Sequence, residues 1–278
     1  MMFEGKTALI TGGSSGIGLA LARALSSQGA NVWLLARDTK RLESSLASIQ
    51  SETNGGCPLC GVIPCDVSDL TQVDQAISQV LREAGTPDIL INSAGITHPG
   101  YIQDLELKTF RELMETNYFG TVYLTKALLP GMIERGSGYI VNISSMAGYV
   151  GVFGYSAYSP TKFAVVGFTD ALRAEMKLLG IKVFIVYPPD TDTPQLAYEN
   201  QFKPPVTKLI LNVQAVKTAD AVAAEILRGV ERGRYVILPG MDNKFLYSVR
   251  FCCRNTAYVI QDFLVARALR QLNSKSAE

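Results

Sequence analysis

A glycine-rich turn between an apolar strand and a helix constrains the fold of this chain more than any other feature. Lys6–Ile10 is predicted to be a buried strand, and it runs directly into Thr11–Gly18, after which Leu19–Gln28 has a helical pattern. Such a turn lets backbone N–H groups approach a pyrophosphate closely, and the helix amino terminus adds partial positive charge. A tight loop without a ligand is the alternative, but the position between strand and helix favours a dinucleotide site.

Six further apolar segments alternate with helical patterns along the chain. They are predicted strands at Asn31–Ala36, Gly61–Cys65, Asp88–Asn92, Gly138–Ser144, Ile181–Tyr187 and Arg234–Leu238. This alternation predicts an α/β fold, a single doubly wound (Rossmann) domain with a seven-stranded parallel sheet and helices on both faces. A ligand cleft is expected at the carboxyl ends of the strands.

The 278 residues fit one large domain, because neither a linker nor a repeat interrupts them. We expect residues 1–240 to form this domain, with a substrate lid at about 193–216. Residues 241–278 are predicted to be a helical, apolar carboxyl-terminal extension, packed on the same domain, on a partner or on a membrane surface.

The balance of charge restricts the partners. A net charge of +1 argues against nucleic acid, since no basic stripe is available to neutralise phosphates. Charged residues make up 18%, below the average of about 25%, so extra apolar surface must be covered by a partner, a membrane or a lipid-like substrate. We therefore expect a homo-oligomer in the cytoplasm, with a peripheral membrane location as the alternative.

Tyr158 and Lys162 are four residues apart, so on a helix their side chains lie one turn apart on the same face. Pro160 between them fits only if that helix is just beginning. A fixed cation beside a phenol favours the phenolate, so we expect Lys162 to move the pKa of Tyr158 toward a usable value. A chance pair on a solvated helix face is the alternative interpretation.

Together these two stretches resemble the short-chain dehydrogenase/reductase family, whose motifs are Thr-Gly-x-x-x-Gly-x-Gly and Tyr-x-x-x-Lys, over nearly the whole chain. The resemblance implies reduction of a ketone, with Tyr158 donating a proton and Lys162 gripping the nicotinamide ribose. It also implies that Ser145, thirteen residues before Tyr158, holds the carbonyl oxygen, with Ser144 as the alternative. Asn117 matches the family's helix asparagine, which implies a backbone kink and a water that links Lys162 to solvent.

The same resemblance implies a set of dinucleotide contacts. These are Gly12, Ser14, Ser15, Gly16, Ile17 and Gly18 in the turn; Asn92, Ala94 and Gly95 in a stretch where the family has Asn-Asn-Ala-Gly and this chain has Ser93; Asp66 and Val67 at the adenine; Tyr158 and Lys162; and Pro188, Thr191 and Thr193 near the nicotinamide amide and the phosphates.

NADPH is the expected cofactor, because the second strand ends in Ala36 and Arg37 where users of NAD place an acidic residue. A guanidinium can bind a 2′-phosphate through paired charge-assisted hydrogen bonds. The alternative is that Arg37 is a surface residue that starts the next helix. Asp38, which follows it, is predicted to cap that helix.

Within the family, the runs Phe153–Tyr158 and Tyr187–Pro194 resemble the members that reduce the 3-keto group of a long-chain sphingoid base with NADPH. Glu199–Asn200 and Lys203–Pro204 contribute to this resemblance. The polar, proline-studded segment Gln195–Val213 resembles the family's mobile substrate lid. A general ketone or 3-oxoacyl reductase of the same family and a non-catalytic dinucleotide-sensing module are the alternatives.

Cysteine and histidine content predicts no metal site, because the pair Cys57 and Cys60 lacks a second pair to complete four ligands. The other cysteines are Cys65, Cys252 and Cys253, and an odd total without a signal peptide is typical of a reducing cytosol. The single histidine, His98, is expected near the site entrance as a loop residue, with general base as the alternative.

The carboxyl-terminal segment Phe245–Leu272 is rich in large apolar residues but contains no window long enough to span a bilayer. Four residues fall on one helical stripe with Phe263 beside it: Ile260, Leu264, Ala268 and Leu272. Arginines lie among them at Arg250, Arg254, Arg267 and Arg270. A helix resting on anionic lipid and a helix that packs on the core or in an oligomer are both consistent with this pattern.

Overall fold

A seven-stranded, fully parallel sheet forms the centre of the computed structural model, which describes residues 2–52, 59–211, 215–252 and 254–275. Its strands are β1 (Thr7–Thr11), β2 (Asn31–Ala36), β3 (Gly61–Pro64), β4 (Ile89–Asn92), β5 (Gly138–Ile143), β6 (Ile181–Val186) and β9 (Val236–Ile237). They lie in the order β3-β2-β1-β4-β5-β6-β9. The order reverses between β1 and β4, which is where a doubly wound sheet opens its ligand crevice.

Helices cover both faces of the sheet. They are α1 (Gly16–Ser26), α2 (Thr39–Glu52), α3 (Leu70–Ala84), α4 (Leu107–Met114), α5 (Gly120–Arg135), α6 (Ser159–Met176) and α9 (Ala219–Glu231). Helices α1, α2 and α9 bury their apolar stripes in one core cluster with β1 and β2, and α3, α5 and α6 contribute to a second cluster. The predicted doubly wound fold is confirmed.

A second, two-stranded parallel sheet was not predicted. β7 (Thr191–Asp192) pairs with β8 (Lys217–Thr218), and the lid segment between them contains two helices, α7 (Pro194–Phe202) and α8 (Pro205–Leu211). Val213 and its neighbours at 212–214 lie outside the described residues. The two short strands therefore fix both ends of the lid segment at the edge of the site.

The carboxyl-terminal extension forms α10 (Met241–Cys252) and α11 (Arg254–Lys275), as the apolar pattern predicts for a helical segment. Helix α11 packs against α10 and against α8 of the lid. Three side chains attach the extension to the domain: Arg250 Nε donates to the Tyr149 carbonyl at 3.0 Å, Gln261 Nε2 donates to the Gly151 carbonyl at 2.8 Å, and Asn243 Oδ1 accepts from the Tyr149 hydroxyl at 2.7 Å. Among the described residues, no helix is long and apolar enough to cross a membrane.

Most predicted strands differ from the observed ones by no more than one residue at an end, and larger differences occur at α1 and at the last strand. Helix α1 begins at Gly16 rather than at Leu19, so two glycines of the turn belong to its first turn. The last strand contains only Val236 and Ile237, because its pairing with β6 is limited to the two positions opposite Ile185 and Val186.

Candidate active site

One cavity of about 490 Å³ at the carboxyl ends of the strands contains most of the predicted site residues. From the turn it is lined by Gly12, Ser15, Gly16, Ile17 and Gly18; from the catalytic stretches by Ser144, Ser145, Tyr158 and Lys162; and from elsewhere in the prediction by Gly95, Pro188, Thr191 and Thr193. Segments as far apart in the sequence as Gly12 and Thr193 therefore meet at one place, as the topology requires.

Tyr158 and Lys162 lie at the start of α6. Tyr158 is the residue just before the helix, and Pro160 occupies its first turn, as predicted from the intolerance of proline in a helix interior. Both side chains are buried, with 6% and 5% exposure. Lys162 Nζ lies 5.6 Å from the centre of the Tyr158 ring and donates a hydrogen bond to the Ile143 carbonyl at 3.1 Å. The pair is held inside the cavity and is not on a solvated helix face.

The two candidate serines have different surroundings. The Ser144 hydroxyl is buried and donates to the Lys162 carbonyl at 3.1 Å, so it ties β5 to α6. The Ser145 hydroxyl is only partly buried, accepts from the Ala147 N–H at 3.1 Å and forms a hydrogen bond with Tyr158. Ser145 is therefore the serine whose hydroxyl shares a hydrogen bond with the phenol, whereas Ser144 has a structural partner.

Burial dominates the ionisation of this pair. It raises the pKa of Tyr158 above its ordinary value, and the Glu199 carboxylate raises it further, while hydrogen bonds with Ser145 and Gln195 act in the opposite direction. Burial also lowers the pKa of Lys162 to about 8. The predicted lowering of the Tyr158 pKa by Lys162 is therefore wrong, because desolvation of the phenolate outweighs the neighbouring cation. At neutral pH the phenol retains its proton, which is the form a proton donor needs.

Asn117 lies in a π-helical turn, Glu115–Phe119, between α4 and α5, so the kink implied by the resemblance is present. Its side chain is buried and fully used. Oδ1 accepts from the Ile96 N–H at 2.8 Å, and Nδ2 donates to the Ile96 carbonyl at 2.9 Å and to Thr161 Oγ1 at 2.9 Å. Asn117 thus fixes the loop after β4 against the first turn of α6, and its part in a proton relay stays a prediction.

The glycines of the turn are needed for close packing. Gly12 has φ +67°, and a Cβ there would lie 3.0 Å from the Cα and N of Ala94. A Cβ on Gly18 would lie 2.4 Å from the Gly12 carbonyl oxygen. Thr11, which the predicted contact set omits, holds the opposite wall because its Oγ1 accepts from the N–H groups of Ser93 and Ala94 at 3.0 and 2.9 Å. A side chain at Gly12 or Gly18 would therefore clash with the backbone of the turn or of Ala94.

The amino terminus of α1 fits a pyrophosphate. Ser15 precedes the helix in an extended conformation and makes no side-chain cap, and the first turn contains no acidic residue. The uncapped N–H groups and the helix dipole therefore face the cavity without a competing carboxylate. Ser14 is not part of the cavity lining, and its carbonyl accepts a hydrogen bond from Ser45 at 3.2 Å.

The predicted adenosine end lies outside this cavity. Arg37 is exposed and lies 4.0 Å from Asp66 Oδ2, so the guanidinium and the carboxylate expected at the 2′-phosphate and the adenine are neighbours. Asp38 accepts from the Arg41 N–H at 3.1 Å, which confirms its capping role at α2. Val67 is 6% exposed and packs in the core, where a Cβ on Gly120 would lie 2.8 Å from its side chain.

The Asn92 side chain is directed into the sheet. Its Nδ2 donates to Asn142 Oδ1 at 2.8 Å and to Thr125 Oγ1 at 3.2 Å, within a buried amide network. Its Oδ1 is buried and has no hydrogen-bond partner within the part of the chain that the structure describes, and Asn92 does not line the cavity. The dinucleotide contact of Asn92 therefore stays a prediction. Gly95 lies nearer the centre of the site, since a Cβ there would lie 3.5 Å from Lys162 Nζ.

The loop after β6 approaches the turn. Thr193 caps α7 by accepting from the Leu196 N–H at 3.2 Å, and its methyl group lies where a Gly16 Cβ would come within 3.0 Å. Thr191 is buried and donates to the Pro189 carbonyl at 2.8 Å. Pro188 accepts from the Met146 N–H at 3.3 Å, which ties this loop to the Ser145 loop.

His98 is a loop residue in contact with the lid. Its Nδ1 lies 2.8 Å from the Tyr198 hydroxyl, its ring centre lies 4.8 Å from that of Phe202, and it does not line the cavity.

In the described part of the chain, no group of three potential metal ligands occurs. Cys57 and Cys253 lie outside the described residues.

The carboxyl-terminal stripe is partly buried. Ile260 and Leu264 line the cavity and Ala268 is 3% exposed, but Ile260 is still 45% exposed, and Phe263 beside the stripe is exposed as well. The apolar wall of the cavity comes from the lid, the loop after β5 and the extension, through Val150, Val152, Ile210, Leu211, Leu246, Val249, Ile260, Leu264 and Val265. The extension is therefore part of the cavity, which the sequence alone does not indicate.

A buried polar cluster around Glu199 also lines the cavity and is absent from the predicted site residues. The Tyr155 hydroxyl donates to Glu199 Oε2 at 2.6 Å, and Gln195 Nε2 donates to Oε1 at 3.1 Å. The spacing of Glu199 and Lys203 is that of an ordinary helix-surface ion pair, so their burial has no signal in the sequence.

Comparison with known proteins agrees with this geometry. The short chain dehydrogenase family matches residues 6–204, and the chain belongs to this family. It is similar to the 3-ketodihydrosphingosine reductase of Bos taurus, with 40% identity over 250 residues that cover 90% of this chain and 75% of the relative. The 3-dehydrosphinganine reductase of Danio rerio is 38% identical over 247 residues, covering 88% and 74%. A solved short-chain dehydrogenase from Sphingobium yanoikuyae in complex with NADPH has a TM-score of 0.77 at 27% identity, covering 91% of this chain and 95% of that one.

Proposed function

We propose that this protein is an NADPH-dependent oxidoreductase that reduces the 3-keto group of 3-ketodihydrosphingosine to a secondary alcohol. The names of the two relatives, each about 40% identical over most of the chain, support the substrate. The solved relative that contains NADPH supports the cofactor. A ketone reductase also agrees with the protonated state of Tyr158 at neutral pH.

The main support for the sphingoid substrate is that Tyr158 and a long apolar wall line the same cavity. A short ketone needs only the hydroxyls of Ser145 and Tyr158, whereas aliphatic side chains from three separate segments extend the cavity beyond them. Burying a hydrocarbon chain there is favourable by about 25 cal/mol per Å² of apolar surface removed from water. A wall of this kind matches the alkyl tail of a sphingoid base.

The residues of the turn fit the cofactor. Gly12 and Gly16 leave room for the pyrophosphate, the bare amino terminus of α1 faces it, and Arg37 would bind the 2′-phosphate. When bound, NADPH supplies the hydride for the carbonyl carbon.

Side chains of the protein orient the ketone oxygen and supply its proton. Ser145 donates a hydrogen bond to the ketone oxygen and orients it, and Tyr158 gives its proton to the developing alkoxide. Lys162, held by the Ile143 carbonyl, would contact the nicotinamide ribose and keeps a positive charge beside the phenol. Asn117 keeps the loop after β4 and the start of α6 in register, so that these groups converge.

The extension has exposed apolar side chains, and the composition predicts that a partner or a membrane covers such surface. They include Met241, Phe245, Phe251, Val259 and Phe263. We assign them to a second copy of the chain or to peripheral contact with a membrane, in a cytoplasmic location.

Oxidation of NADPH by the purified protein tests the proposal. The substrates are 3-ketodihydrosphingosine in mixed micelles and a short β-keto ester, with NADH as the cofactor control. We expect turnover with NADPH to favour the sphingoid ketone. Activity on the short ketone alone would retain the chemistry and indicate a general ketone or 3-oxoacyl reductase, and binding of NADPH without turnover of either ketone would indicate a sensing module.

A further inference from the structure

The charge on one wall of the cavity is not explained by ketone reduction. Glu199 is 7% exposed and Asp190 is partly exposed, and both line the cavity. One cation serves them both: Lys203 Nζ lies 3.6 Å from Glu199 Oε2 and 3.7 Å from Asp190 Oδ2. The Lys203 side chain is 4% exposed and is not part of the lining. With both carboxylates ionised and Lys203 behind them, this wall carries a net charge of −1. Burial raises the pKa of Glu199, and the hydrogen bonds from Tyr155 and Gln195 and the charge of Lys203 oppose that rise.

This charge lies close to the reacting centre. Gln195 hydrogen-bonds both the Glu199 carboxylate and the Tyr158 phenol, so a single side chain separates them. Tyr155, which donates to Glu199, packs edge-to-face on Tyr158 with ring centres 5.9 Å apart. A group attached to the carbon next to the ketone would therefore lie within reach of the carboxylate.

The ligand that fits an anion in this place is a cation adjacent to the carbonyl. In an α-amino ketone the nitrogen lies roughly 3 Å from the carbonyl oxygen, as standard bond lengths require. We propose that Glu199, with Asp190 beside it, binds the ammonium group of the substrate and thereby selects an α-amino ketone over a plain ketone. This inference rests on the proposed function, since 3-ketodihydrosphingosine carries its amine on the carbon next to the ketone.

A purely structural role is the competing explanation. Glu199 ties α7 to the loop that carries Tyr155, and Thr207 of α8 donates to the Phe153 carbonyl at 2.9 Å in the same region. Glu199→Gln separates the two roles, because the amide has the same size and its oxygen can still accept from Tyr155. The negative charge is lost, and Gln195 keeps a hydrogen bond to this side chain by turning its own amide so that its oxygen accepts from the new NH2 group.

The experiment compares kcat/KM for 3-ketodihydrosphingosine and for the same keto alcohol without its amino group. For Glu199→Gln we expect a fall of about 10- to 100-fold with the amino ketone, the usual effect of losing a hydrogen bond to a charged group. With the deaminated ketone we expect a change of less than about 3-fold, because there the lost charge acts only through the pKa of Tyr158, and we expect an unchanged Kd for NADPH. Glu225→Gln is the matched control, since Glu225 pairs with Lys217 outside the cavity. Loss of its charge should change kcat/KM for neither ketone.

An equal fall with both ketones, or no fall with either, would overturn the role of Glu199 and leave the proposed function intact. A wild-type protein that reduces only the deaminated ketone would refute the proposed function together with this site. If Glu199→Gln fails to bind NADPH, Asp190→Asn provides the second variant, and it should reduce the preference for the amino ketone by a smaller factor. An unchanged preference in that variant would also count against the proposal.

Discussion

Asn243 should contribute a large share of the stability with which the carboxyl-terminal extension is attached. It is 2% exposed on α10, its Oδ1 accepts from the Tyr149 hydroxyl at 2.7 Å, and its Nδ2 donates to the carbonyls of Tyr187 and Pro239 at 2.6 and 3.2 Å. Tyr149 and Tyr187 are themselves 3% and 2% exposed, so water does not readily replace the lost partner. Asn243 therefore joins α10 to the loops that follow β5 and β6.

Asn243→Ala removes all three hydrogen bonds and leaves the Tyr149 hydroxyl and the Tyr187 carbonyl buried without that partner. Each such group costs about 1–3 kcal/mol, so the two together should lower the free energy of unfolding by about 2–6 kcal/mol. In a domain of this size each kcal/mol lowers Tm by about 2 °C, which gives a fall of about 4–12 °C.

Thermal unfolding followed by far-UV circular dichroism measures this difference. Asn273→Ala is the matched control, because Asn273 is an exposed residue of α11. A fall in Tm no larger than that of the control would refute the reasoning, since it would mean that the three hydrogen bonds are replaced by water at no cost.

Further predictions concern the reaction centre and the cofactor. Tyr158→Phe should lower kcat by at least about 100-fold while the Kd for NADPH stays nearly constant, and loss of NADPH binding would indicate a structural phenol. Arg37→Ala should raise the Kd for NADPH about 10-fold or more and leave that for NADH nearly unchanged; equal weakening would exclude a phosphate contact. Because burial lowers the pKa of Lys162 to about 8, its ammonium is present below that pH and lost above it. NADPH fluorescence titrations should therefore show weaker binding above about pH 8, and Lys162→Met should remove this dependence.

The sheet could be predicted because each of its strands is an apolar run followed by a polar or glycine-rich segment. Parallel strands must then bring their carboxyl ends together, so the sequence predicts that Gly12, Ser145 and Tyr158 lie at one site. Pro160 indicates where α6 begins, since proline is tolerated only in the first turn of a helix.

Other features depend on tertiary contacts that have no local signal. The sequence pattern predicts too late a start for α1 because Gly16 and Gly18 have low helix propensity, although close packing against Thr193 and Gly12, respectively, requires them. Two-residue strands such as β7 and β8 are too short to show a period. Pro194 and Pro205 in the lid begin helices and do not break them. Glu199 belongs to the site only because α7 packs against Tyr155, which hydrogen-bonds its carboxylate.

The contribution of α10 and α11 to the cavity has a consequence for biosynthesis. The segments that hold the glycine-rich turn, Ser145, Tyr158 and Lys162 are all synthesised before residue 200, and the last strand of the sheet before residue 240. Helices α10 and α11 leave the ribosome after them. The nascent protein therefore acquires the groups for its chemistry before it acquires the part of the apolar wall that the extension contributes.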